Sequence, residues 1–230
     1  MCIQKNRLIQ NPVKLICGYG KTTNNHNTMN PSELLVSVID VQRQKENQAN
    51  IWKDSKYRYI AELESNNVGN VGENLIQKIC ESEGIPSSID GAITKKLGGG
   101  SDGDGRINGR SVEIKTARLG ASQTSFQHEL GEHPWKADYI AFVDVAPAHI
   151  FLSIFPNFTE EHYKTGQKCA PYFPTKSVTW RKGEGAFKLD TSPNINEALI
   201  NLGNCIKINE KTTFVELGAF IRRVISIATE

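Results

Sequence analysis

Residues 100–118 read GSDGDGRINGRSVEIKTAR. The first half is a glycine-rich turn that carries Asp102 and Asp104. Asn108-Gly109 is a strong tight-turn signal, because both central positions of a two-residue hairpin turn need a positive φ. The second half alternates, with Val112, Ile114 and Thr116 on one side and Glu113, Lys115 and Ala117 on the other. That period of two marks a strand, and it sends the Glu113 and Lys115 side chains out of one face. A twisted hairpin is expected here, bringing a turn aspartate towards Glu113.

Two converging carboxylates with open positions around them suit a hard cation, Mg2+ with Mn2+ as its substitute. Lys115 puts an ammonium beside that cation. It can orient or help deprotonate a water and can neutralise phosphate charge. Asp, Glu and Lys around a divalent metal suit attack on a phosphodiester, since the metal lowers the pKa of its water and stabilises the developing charge. Asp102 and Asp104 compete for the place opposite Glu113.

The pattern Asp104-x(8)-Glu113-x-Lys115, with apolar Val112 and Ile114, resembles the PD-(D/E)xK nuclease superfamily. The stretch GDGRINGRSVEIKT resembles type II restriction endonucleases and their relatives. The resemblance covers about residues 70–155, as a helix, the hairpin, a helix and then apolar strands. It implies an α/β (α+β) fold with a mixed central β-sheet flanked by helices, metal-dependent cleavage of DNA, and a homodimer. Carried over residue by residue, Asp104 and Glu113 bind the metal and Lys115 assists the water. The residue before Asp104 is Gly103 rather than Pro, which many members also lack. Ile107 and the Asn-Gly turn fit the family spacing better for Asp104 than for Asp102. Glu73, on the preceding helix, stands where some members place an extra acidic residue near the metal. Asn70-x-x-Glu73 reads equally well as a capping box.

Rival readings of these residues fail at specific positions. An EF-hand loop starting at Asp102 places Glu113 correctly, but Arg106 and Ile107 stand where an acid or Asn and then Gly are needed. A plain structural hairpin explains Asn108-Gly109 but not the two aspartates before it. His128-Glu129-Leu130-Gly131-Glu132-His133 lacks the spacing of a helical zinc site, because Glu132 stands where the second His belongs; His133 is a candidate DNA contact. Gly18-Tyr19-Gly20-Lys21-Thr22 lacks the leading glycine of a phosphate-binding loop.

The chain has 230 residues, 38% hydrophobic and 23% charged, which suits one globular domain with appendages. Two parts are expected: residues 1–69, a basic arm and helical region, and residues 70–230, the core. No stretch has the length and character of a membrane span or a secretory signal. Five widely spaced cysteines without a CxxC argue for reduced thiols in a cytoplasmic protein. The sequon at Asn157 carries little weight without a secretory route. Net charge is only +2, but basic residues cluster in 1–30 and in 164–188, as for a protein with one anionic partner face. Candidate contacts to double-stranded DNA are Arg118, Gln123, Gln127, Lys176, Arg181, Lys182 and Lys188.

The remaining pattern predicts helices at Pro31 onwards, 51–64, 70–83, 119–130, 157–166, 193–202 and 213–228, the last opened by a Thr213–Glu216 capping box. Strands are expected at 92–97, 110–118, 139–145, 149–155 and 205–208, with a hairpin over 176–189. The near-continuous apolar runs at 139–145 and 149–155 belong mid-sheet, covered on both faces. The expected activity is Mg2+-dependent cutting of double-stranded DNA at a short site. The alternatives are a structure-selective repair or junction-resolving nuclease, and a non-catalytic DNA-binding module of nuclease-like fold.

Overall fold

Asn108 and Gly109 turn the chain at φ of 52° and 78°, the paired positive values that an Asn-Gly hairpin turn requires. They join β2 (Gly105–Ile107) to β3 (Arg110–Arg118). The two strands are antiparallel, with Ile107 opposite Arg110 and Gly105 opposite Val112. Asn108 is buried, and its side-chain amide donates to Ile225 O at 3.2 Å. Its backbone N–H donates to Pro86 O. The hairpin tip is thus tied to the chain on both sides.

The computed structural model describes residues 30–89, 103–121, 124–131, 137–158, 168–169, 173–177, 179–181 and 186–226. The strand expected at 92–97 and the helix expected at 157–166 lie wholly or mainly outside them. The chain divides into Met1–Gln44 and Lys45–Glu230. The boundary therefore falls before residue 69, because Trp52, Ile60 and Val68 join the core of the second unit. The first helix, α1 (Pro31–Ala49), starts where expected, in the first unit. Asn30 Oδ1 accepts from the N–H groups of Ser32 and Glu33, and Asn30 N donates to Glu33 Oε2. Its apolar residues Leu34, Leu35, Val38 and Ile39 are exposed.

The second unit is built on a six-stranded mixed sheet. Besides β2 and β3 it contains β1 (Ser87–Ile89), β5 (Tyr139–Val145), β6 (Ile150–Pro156) and β11 (Cys205–Ile208). The order is β1-β2-β3-β5-β6-β11. β3 and β5 run parallel, and the other neighbours are antiparallel. All seven residues of β5 are buried, as its unbroken apolar run requires. Helices α2 (Ser65–Ser82), α3 (Pro193–Asn201) and α4 (Phe214–Val224) flank the sheet. The capping box of α4 forms as expected, with Thr213 and Glu216 bonded reciprocally. Among the described residues no helix is long and apolar enough to cross a membrane.

One face of the sheet carries α2. Gly72 lies so close to Thr116 that a Cβ there would collide with the Thr116 hydroxyl, and that hydroxyl donates to Gly69 O. The other face divides into halves. Over β5 and β6 it is covered by a second sheet, β4 (Phe126–Gly131), β10 (Ala186–Thr191) and β9 (Thr179–Arg181), in that order. Phe126 meets Phe151, and His128 meets Phe142, edge to face. Each fully buried Phe or Ile in this layer stabilises the fold by about 1.5–3 kcal/mol. Over β2 and β3 the same face presents polar side chains. A separate ribbon pairs β7 (Lys168–Cys169) with β8 (Phe173–Ser177).

Three expectations change. Residues 51–64 are turns and a short 3-10 helix, Arg58–Glu62. Asn50 and Ser55 side chains bond the backbone N–H groups of Trp52 and Tyr57, which competes with helix formation. α2 begins at Ser65, so Asn70 is a helix-interior residue and the Asn70–Glu73 capping box does not exist. Burial of Val68 outweighs the poor helix propensity of the asparagines and Gly69. Finally, residues 126–131 form a strand. Phe126, His128 and Leu130 point inward while Gln127 and Glu129 are exposed, a period of two that reads correctly only once His128 is counted as a core residue.

Candidate active site

Asp104 stands at the open end of the hairpin, one residue beyond the Gly105–Val112 pair. Its N–H donates to Val112 O at 2.8 Å, and its carboxylate Oδ2 accepts from Ile114 N at 2.6 Å. That brackets Glu113 between the two backbone groups that hold Asp104. Gly103 precedes it at φ 89°, and a Cβ there would run into the Val112 carbonyl. Only glycine therefore suits the position before Asp104 in this chain.

Lys115 Nζ lies 2.6 Å from Glu113 Oε1, with 26% of the Lys115 side chain and 13% of the Glu113 side chain exposed. The pair is reachable but sheltered. Burial and the neighbouring Glu113 charge push the Asp104 carboxyl up to about 6, against the opposing pull of the Ile114 hydrogen bond and Lys115. For Lys115, burial would lower the pKa, but Glu113, Asp104 and Glu73 together outweigh it and raise it. Lys115 is therefore a cation set among three carboxylates.

Glu73 sits within α2, one residue after the Gly72 contact with β3. Its charge acts on Lys115, so the structure brings it into the electrostatic field of the hairpin. Among the described residues no group of three or more His, Cys, Asp or Glu is arranged as a metal cage. Asp104 and Glu113 do match a hard cation in donor chemistry, because both offer carboxylate oxygens and the Glu113 charge disfavours the ionised Asp104 until a cation offsets it.

The other candidates fare differently. Arg118 donates through Nη1 to Ile60 O and Leu63 O, so its guanidinium holds the segment leading into α2. Gln127 lies on β4, not on a helix, exposed, with Nε2 donating to Asp190 Oδ1 at 3.4 Å. Lys188 is on β10, Arg181 on β9 and Lys176 on β8. The β9–β10 hairpin pairs Arg181 with Ala186, as the sequence indicates. Asp102, Gln123, Lys182 and His133 lie outside the described residues.

Two clusters escape sequence reading. Asp144 on β5 accepts from Thr191 Oγ1 at 2.7 Å and Asn196 Nδ2 at 2.6 Å, and its Oδ1 lies 2.6 Å from His128 Nε2. All four residues are buried. Ser111 and Asp138 are joined by reciprocal hydrogen bonds beside Glu113. No local pattern signals either, since Ser111 is buried but Asp138 is exposed. No protein-family model, no curated protein and no solved structure matches the chain.

Proposed function

We propose that the chain is a Mg2+-dependent endodeoxyribonuclease of PD-(D/E)xK type, cutting double-stranded DNA at a short sequence in the manner of type II restriction endonucleases and acting as a homodimer. One observation carries the reading: Asp104, Glu113 and Lys115 come together at one end of the hairpin. Asp104 and Glu113 would hold the metal, with Glu73 adding negative charge nearby. Mg2+, or Mn2+ in its place, would supply Lewis acidity and a water of lowered pKa.

The protein's own groups do the rest. The Ile114 N–H holds the Asp104 carboxylate in place. Glu113 holds the Lys115 ammonium at 2.6 Å, where it can meet the charge that develops on a phosphate under attack. The mixed sheet and its flanking helices keep both strands rigid beneath the phosphate.

Plasmid DNA with Mg2+ tests the reading. Discrete fragments are expected, and Lys115→Ala should lower their rate by about 10²–10³-fold. Cutting confined to branched or flapped DNA would move the assignment to a repair nuclease. DNA binding without any cutting, unchanged by Glu113→Ala or Lys115→Ala, would falsify the enzyme.

A further inference from the structure

β3 and β5 form a parallel pair, and parallel neighbours have no hairpin turn to set their register. β5 is buried throughout, so its apolar pattern distinguishes the two faces poorly. Asp144 breaks that pattern, but it bonds to β4, β10 and α3 rather than to β3. Something else must fix β5 against β3.

Ser111 and Asp138 lie side by side, just before the first ladder pair of Val112 with Tyr139. Asp138 Oδ2 accepts from Ser111 N at 2.9 Å and from Ser111 Oγ at 3.0 Å. Ser111 Oγ accepts in turn from Asp138 N at 2.9 Å. Asp138 O accepts from Asn157 N, which ties in the end of β6. Ser111 is buried. Glu113 follows Ser111 by two residues on the same strand and face.

We propose that Ser111 and Asp138 are positioning residues that lock β3 to β5 at the end where Asp104 meets Glu113, and so set the Glu113 carboxylate for a divalent cation. The inference rests on the nuclease reading for the identity of that cation. Neither residue contacts the cation. Both act through the backbone of β3.

The test uses the full chain with Mn2+ as probe, measured by calorimetry, and plasmid cleavage with Mg2+. Asp138→Ala should weaken Mn2+ binding and lower kcat, each by about 10–100-fold, with KM for DNA little changed. Asp138→Asn keeps an acceptor for both Ser111 donors and should stay within about threefold of the parent. A core variant, Ile154→Val, chosen to lose comparable thermal stability, should bind Mn2+ as the parent does. A folded Asp138→Ala protein with parental Mn2+ affinity and kcat overturns the proposal. If Asp138→Ala does not fold, Ser111→Ala, which removes only the hydroxyl bonds, carries the same comparison, and parental affinity and kcat in it overturn the proposal equally. If the parent itself neither binds Mn2+ nor cuts DNA, the nuclease reading fails separately. The lock is then judged by amide hydrogen exchange at Asp138, whose N–H loses its acceptor in Ser111→Ala: exchange there must accelerate relative to the parent for the lock to stand, and parental exchange overturns it.

Discussion

Asp104 and Asp144 lie on the same face of the same sheet, two strands apart, in opposite surroundings. Asp144 is 1% exposed and meets His128, Thr191 and Asn196. Its neighbours come from β4, β10 and α3, so it fastens the second sheet and a helix to β5. Asp104 is half-buried, held by Ile114 N, and set beside a second carboxylate. Surrounded by donors, an aspartate is a fastening. Facing another acid, with the Ile114 N–H as its donor among the described residues, it is left with capacity for a ligand, and its charge costs stability until a divalent cation arrives.

The comparison breaks most visibly at Asp144. Asp144→Ala strands three buried polar partners and should cost about 3–5 kcal/mol, read as a fall in the urea midpoint. The opposite sign is expected at Asp104. Its pKa is raised from 3.8 to about 6, so the folded state binds the proton more tightly than the unfolded state. The stability this contributes is full below about pH 4 and is lost as the pH rises through about 6. Asp104→Asn should therefore stabilise the metal-free protein near neutral pH by on the order of 1–2 kcal/mol while abolishing cleavage. Thermal melts of the two proteins at about pH 5 and about pH 7.5 check this; the gap must widen at the higher pH. A finer contrast follows from the metal. Saturating Mn2+ should raise the melting temperature of the parent near neutral pH and leave that of Asp104→Asn almost unmoved. The smallest effect belongs to Gln127→Ala, since an exposed 3.4 Å bond to Asp190 should be worth less than about 0.5 kcal/mol. A cleavage rate unchanged in that variant would also remove Gln127 from the DNA-contacting set.

What the sequence revealed follows the range of each signal. The Asn108-Gly109 turn, the alternation of β3, the apolar runs of β5 and β6, Cys205–Ile208 and the Thr213–Glu216 cap are all local, and all appear in the fold. The closeness of Asp104, Glu113 and Lys115 is legible for the same reason, since one hairpin carries them all. β4 was misread because His128 occupies an inward position that polar residues seldom take. The start of α2 was misread because its Asn-rich first turn is stabilised by contacts with β3 that lie more than forty residues away. Ser111 with Asp138, and Asp144 with Asn196, are separated by 27 and 52 residues, and no local pattern links them.

The amide of Asn108 at the hairpin tip bonds to Ile225, 117 residues later in the chain. A ribosome releases the hairpin long before it releases that partner, and at about 5–20 residues per second the interval is many seconds. During synthesis the hairpin bearing the acidic pair waits with its tip tied only on the Pro86 side. Ile225, the residue that caps α4, arrives late and adds the second tie. Chain growth itself thus times when the patch becomes rigid.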